Sequence, residues 1–137
     1  METKKGQISV EYLIVVAFIS FLILSTLALG IFYSVQIKDK IIIDQLQNFA
    51  NKIISSSENV FYSGEPSKNT VNAYLPAGIQ GIEIYTSEIV FNITTSTGAT
   101  RMSFSSNVPL QGSLSNSEGV KRIIITAQSD KVVLSED

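Results

Sequence analysis

The chain has 137 residues, of which 45% are apolar and 16% charged, with a formal charge of -2. It contains no Cys, no His and no Trp, which excludes disulfides, thiolate metal sites, cysteine nucleophiles and any Ser-His-Asp triad. The charge leaves no electrostatic footprint for nucleic acid, and the charged fraction is below the roughly 25% of ordinary soluble domains.

The apolar residues are concentrated near the N-terminus. Residues 1–6 read METKKG, a short leader with adjacent Lys4 and Lys5. Between Glu11 and Lys38 lie 26 residues without a charge. Crossing about 30 Å of hydrocarbon takes about 20 apolar residues at helical rise, and residues 12–33 supply 22. A water-soluble helix carries an apolar stripe, whereas this segment is apolar all round. Ser20, Ser25 and Thr26 are isolated and can return their hydroxyls to the helix backbone. Gly30 is tolerated in a membrane helix. Tyr12 and Tyr33 bracket the run as interface anchors do. The apolar run is too long for a secretory signal core and lacks a small-x-small cleavage site at residues 27–30. Lys4 and Lys5 keep the N-terminus cytoplasmic, which sends the rest of the chain outside.

The residues before the apolar run carry a family resemblance. Lys4, Lys5, Gly6, Gln7, Ser9, Glu11, Tyr12 and Leu13 form a basic leader ending in Gly, followed by Gln-x-Ser-x-Glu-Tyr-Leu. This resembles the class III signal peptide of archaeal type IV pilin-like proteins over roughly the first 35 residues. The Glu-Tyr pair also looks like that of bacterial Flp-type pilins, and archaellins are a poorer match.

The resemblance implies cleavage between Gly6 and Gln7 by a prepilin-type membrane peptidase, with the apolar helix retained. Removing six residues from 137 leaves 131. Gly6 suits such a cut because it has no side chain, so an extended chain fits a tight cleft. Glu11 borders hydrocarbon, where a carboxylate is costly unless paired. The family implies that its partner is the N-terminal amine of a neighbouring subunit, a pair that sets register in a filament. The alternative is an acid near a helix N-terminus, favoured by the macrodipole and lying at the headgroups.

Residues 36–63 continue as an amphipathic helix. Ile42, Leu46, Phe49, Ile53 and Val60 recur at spacings of three, four and seven, widened by Ile43, Ala50, Ile54 and Phe61. Gly64 and Pro66 end the helix. One helix over residues 7–61 is about 80 Å long at 1.5 Å per residue; a break near Gly30 or the serines at 55–57 is the other reading.

From about Thr70 the pattern changes to period two. Alternation at Val71/Ala73/Leu75, Ile82/Ile84, Ile89/Phe91/Ile93, Met102/Phe104, Ile123/Ile125 and Val132/Leu134 predicts short antiparallel strands with turns between them. Leu110 and Leu114 suggest a short edge strand, and residues 114–119 a polar loop. The expected fold is α+β: a long N-terminal helix, membrane-spanning in its first half and amphipathic in its second, packed on an antiparallel β-sheet head. The segments are a leader at 1–6, a membrane or filament-core helix at 7–35, its amphipathic continuation at 36–63 and an extracellular β-rich head at 64–137.

Other chemistry is sparse. Asn92-Ile93-Thr94 is an N-glycosylation sequon whose Asn faces away from the core by alternation; surface filaments of the resembled family are often glycosylated. Asp39 and Asp44 read as solvated charges. Glu83 and Glu88 flank a hairpin and could meet across it. Lys121 and Arg122 read as edge protection or a subunit contact. No residue set supports catalysis, a metal or a cofactor. The resemblance implies a structural pilin subunit of an adhesive archaeal surface filament. Its implied partners are further copies of itself, the leader peptidase, an assembly ATPase and its membrane platform. The alternative is a minor pilin or membrane-tethered extracellular binding module.

Overall fold

A computed structural model describes residues 3–137, with side chains from Ser9 onward. Lys4, Lys5, Gly6 and Gln7 therefore lie outside the described side chains. The chain divides into two compact units, the first ending at Lys38 and the second comprising Asp39–Asp137. Helix α1, Thr3–Ser63, supplies all of the described part of the first unit and the start of the second. It continues through Gly30 and through the serines at 55–57. Gly64, at φ 77°, terminates it, a left-handed conformation that glycine adopts without steric cost.

The fold is α+β. In the second unit, β1 (Lys68–Leu75), β6 (Gly119–Ala127), β7 (Val132–Glu136) and β5 (Leu110–Gly112) form one sheet in the order β1-β6-β7-β5. A second sheet has the order β2-β3-β4, from Ile79–Ile84, Glu88–Thr95 and Gly98–Ser105. Two sheets thus replace the single one expected, and β5 pairs parallel with β7. The link from β5 to β6 skips one strand position, and β7 returns into that gap. Because β7 is antiparallel to β6 and parallel to β5, β5 and β6 run in opposite directions.

The helix residues of this unit bury one face. Leu46, Phe49, Ala50, Ile53, Ile54 and Val60 are buried with Val71, Leu75, Ile89, Phe91, Ile93, Ile123, Ile125 and Leu134. Phe49 meets Phe91 edge-on at a centroid distance of 6.0 Å, a favoured aromatic geometry. Ser56 and Ser57 share that buried face. The Ser57 hydroxyl bonds to Ile53 O, and Ser56 Oγ accepts from Asn69 Nδ2. Both buried hydroxyls are thereby satisfied, so the serine run leaves no unpaired polar group in the core.

Polar contacts fasten the helix residues of this unit to a strand and to two connecting segments of the head. Asp39 accepts from the Ser96 amide at 3.1 Å and from the Ser96 hydroxyl. It is therefore a hairpin anchor and not the freely solvated charge expected. Further along, Lys52 Nζ donates to Asn72 O at 2.7 Å and Asn107 Nδ2 donates to Glu58 Oε1 at 2.8 Å.

Candidate functional site

The described helix before Lys38 is an uncovered apolar surface. An 18-residue window within it has a mean hydropathy of 2.7 and none of it is buried. Tyr12 is 72% exposed, Phe21 66% and Ile31 69%, and these residues point to different sides of the helix. Ser25 and Thr26 donate to Phe21 O and Leu22 O, so these two hydroxyls are satisfied within the helix. Such a surface has two stable environments: hydrocarbon, or other apolar helices.

Among the predicted site residues, Ser9, Glu11, Tyr12 and Leu13 all lie exposed on the helix. Glu11 is followed by Leu13, Ile14 and Val15, each more than half exposed. Its carboxylate is the last charge before a charge-free surface. Tyr33, at the other end, packs edge-on to Phe32 at 6.1 Å.

Asn92 lies on the outer face of the central strand β3, half-buried, as alternation predicted. Its Nδ2 donates to Glu83 Oε1 at 3.2 Å, so the atom that would carry a glycan is engaged. Glu83 and Glu88 do not meet. Glu83 instead receives the Tyr85 hydroxyl at 2.6 Å and Arg101 at 2.9 Å, because the register sets Asn92 opposite Arg101. Donation from Tyr85, then from Asn92, holds the Glu83 carboxyl below its ordinary value, with Arg101 adding to the effect. The same bond pushes the Tyr85 phenol up. Val90 faces this side too, yet is 2% exposed. It sits in a shallow depression lined by Tyr85, Glu88, Arg101 and Ser103.

Lys121 departs most from expectation. It lies on β6, an interior strand, so it protects no edge, and it is buried. Its ammonium lies 2.7 Å from Glu136 Oε1 and 2.6 Å from Ser117 Oγ, and it also contacts Ser115 Oγ. The signal was present in the sequence, since Lys121 shares the parity of inward Ile123 and Ile125. Arg122, of the opposite parity, is exposed and pairs with Asp137 at 3.3 Å.

Among the described residues no group of acidic side chains could hold a metal ion. No family model, no curated protein and no solved structure matches this chain. What the fold and the site define is an α+β protein with a long N-terminal helix whose apolar residues, among the described ones before Lys38, are exposed.

Proposed function

We propose that the chain is the precursor of a type IV pilin-like subunit of an archaeal surface filament used for adhesion. The observation that supports this reading most is the contrast along α1. Its first half is apolar on every side, and its second half is fastened to a folded head. The first half lies in the membrane before assembly and packs against the same helix of other copies afterwards. Lipid tails are as apolar as the helix, so closer van der Waals packing between helices and release of lipid supply the drive for leaving the membrane.

In this reading a prepilin-type peptidase cuts between Gly6 and Gln7, and Lys4 and Lys5 hold the leader in the cytosol for it. Ser9, Glu11, Tyr12 and Leu13 complete the recognition and assembly motif. An assembly ATPase and its membrane platform drive polymerisation, and the head forms the outer surface. A glycan on Asn92 requires its amide to leave Glu83.

Mass spectrometry of the mature protein tests the reading. The expected chain starts at Gln7 or its cyclised form, and electron microscopy finds it in filaments. A start near Ala28, or an intact Met1, overturns the proposal. Correct cleavage with monomers that stay in the membrane supports a minor pilin or tethered binding module instead.

A further inference from the structure

Each sheet of the head ends in two edge strands, β1 and β5 in one, β2 and β4 in the other. An unpaired edge presents a row of N–H and C=O groups that recruits another strand unless it is blunted. Three of these edges are blunted. On β1, Asn72 O is occupied by Lys52 Nζ. The β5 edge is three residues long. The β2 strand carries a register shift between Ile79 and Gly81, and its Gln80 O accepts from Asn116 Nδ2 at 2.8 Å.

The β4 edge has none of these devices. It runs for eight residues, GATRMSFS, with no Pro and no Lys, and its register with β3 is unbroken from Gly98 to Ser105. The β3–β4 hairpin turns over two residues between Thr95 and Gly98. In such a hairpin the flanking pair is hydrogen-bonded and the pairs then alternate. Gly98, Thr100, Met102 and Phe104 therefore bond to β3, while Ala99, Arg101, Ser103 and Ser105 aim their backbone groups outward. An independent contact agrees with this phase: Thr94, opposite Ala99, sends its N–H the other way, to Gly78 O at 2.9 Å.

The core is also left open on this side. Met102 and Phe104 point inward but are only partly buried, whereas Ile89, Phe91 and Ile93 on the neighbouring β3 are at most 1% exposed. The edge has little charge to repel its own likeness, because Arg101 is compensated by Glu83 at 2.9 Å. Its other outward residues are small and neutral.

We propose that β4 is a self-pairing edge: two copies join β4 to β4, antiparallel, about a twofold axis at Met102. This register places Arg101 opposite the second copy's Ser103, and Ala99 opposite the second copy's Ser105. Every outward residue then exchanges both backbone bonds with its opposite. Met102 meets Met102 of the second copy across the axis, and Phe104 lies opposite the second copy's Thr100, which closes the open side of both cores. An isologous contact closes at two copies and does not propagate. It joins one head to another, apart from any association of the apolar helices, and so does not rest on the filament reading.

The natural absence of cysteine provides the test. Full-length chain in detergent micelles carries Met102→Cys, and a control carries Lys68→Cys on the blunted β1 edge. Mild oxidation is expected to convert most of the Met102→Cys chain to a disulfide dimer and little of the control. Adding Ser103→Pro removes an outward N–H without touching the bonds to β3, so folding survives and dimer falls to the control level. In the unmodified chain, exchange of the Arg101 and Ser103 amides is expected to slow as protein concentration rises. Cross-linking no greater than the control, cross-linking that persists in folded Ser103→Pro, or amide exchange independent of concentration overturns the proposal.

Discussion

Lys121 Nζ lies 2.7 Å from Glu136 Oε1 across the β6–β7 pair, with 8% of the lysine side chain exposed and 26% of the glutamate's. The same ammonium reaches the hydroxyls of Ser115 and Ser117, and Glu136 accepts from the Ser115 amide at 2.8 Å. One pair therefore fastens the 113–118 segment, which has no ladder of its own, to the sheet. Lys121→Met keeps the apolar stem and removes the charge, leaving Glu136 without its cation. Breaking a fully buried pair costs about 3–5 kcal/mol. Because Glu136 retains some solvent, a loss of about 2 kcal/mol is expected, read as a lower urea midpoint of the detergent-solubilised chain.

The same pair sets a pH dependence. Burial alone would raise the Glu136 carboxyl, but donation from Lys121 and from the Ser115 amide and hydroxyl outweighs it, so the group sits below its ordinary value. A depressed folded-state value means that the unfolded chain binds the proton more readily. The contribution to stability is then full above the ordinary carboxylate range and is lost as pH falls through the folded value. Unfolding midpoints measured from neutral pH into that acid range should fall, and less steeply in Glu136→Gln than in the native chain. Equal slopes in the two would show that other carboxylates carry the dependence.

Gly112 is irreplaceable on geometric grounds. Its φ is 142°, and a Cβ built there would lie 2.0 Å from Leu134 O. Both atoms are held by the β5–β7 ladder, which pairs Gly112 with Leu134, so neither can retreat cheaply. Gly112→Ala should cost about 3 kcal/mol or more through clash and backbone strain. Gly98→Ala is a useful contrast: its φ is also positive, but a Cβ there meets nothing within 4 Å. The difference between their unfolding midpoints measures the clash with Leu134.

Phe49→Ala tests how far the head depends on the helix. Phe49 is 2% exposed and packs on Phe91. Its truncation leaves a cavity between the helix and β3, with an expected loss of about 3–4 kcal/mol. A shift in urea midpoint below about 1 kcal/mol would mean that the sheets hold together without the helix face.

Much of this fold was legible because its signals are periodic. The stripe through Leu46, Phe49 and Ile53 and the alternation at Val71, Ala73 and Leu75 follow directly from burying one face of a helix or strand. The uncovered helix was equally plain, since a charge-free run needs no partner to be recognised. What escaped was set by pairing. Division into two sheets and the parallel β5 depend on which strands become neighbours, a choice that local periodicity does not encode. Glu83 finds Arg101 rather than Glu88 for the same reason: cross-strand contacts follow register. Asp39 looked solvated because its partner, Ser96, is 57 residues away. Lys121 reads as an edge or contact cation by residue type, although its parity with Ile123 and Ile125 marks it as inward. A buried lysine is improbable until Glu136 is placed beside it.

Glu11 is a carboxylate exposed on a helix whose next charge is Lys38. Glu11→Ala removes a charge that is not part of the compact unit Asp39–Asp137. The urea midpoint of the head should therefore be unchanged, within about 0.5 kcal/mol. If Glu11 pairs with a neighbouring copy's N-terminal amine, the variant should be processed normally yet form few or no filaments by electron microscopy. Glu11→Gln separates the contributions of charge and hydrogen bonding. An ion pair with a free amine fails in both variants, because a buried ammonium left without its anion is strongly disfavoured. Cyclised Gln7 carries no ammonium, so Glu11→Gln would then assemble while Glu11→Ala would not. Normal filaments in both variants would assign Glu11 to the headgroup region as a helix N-terminal acid, stabilised by the dipole alone.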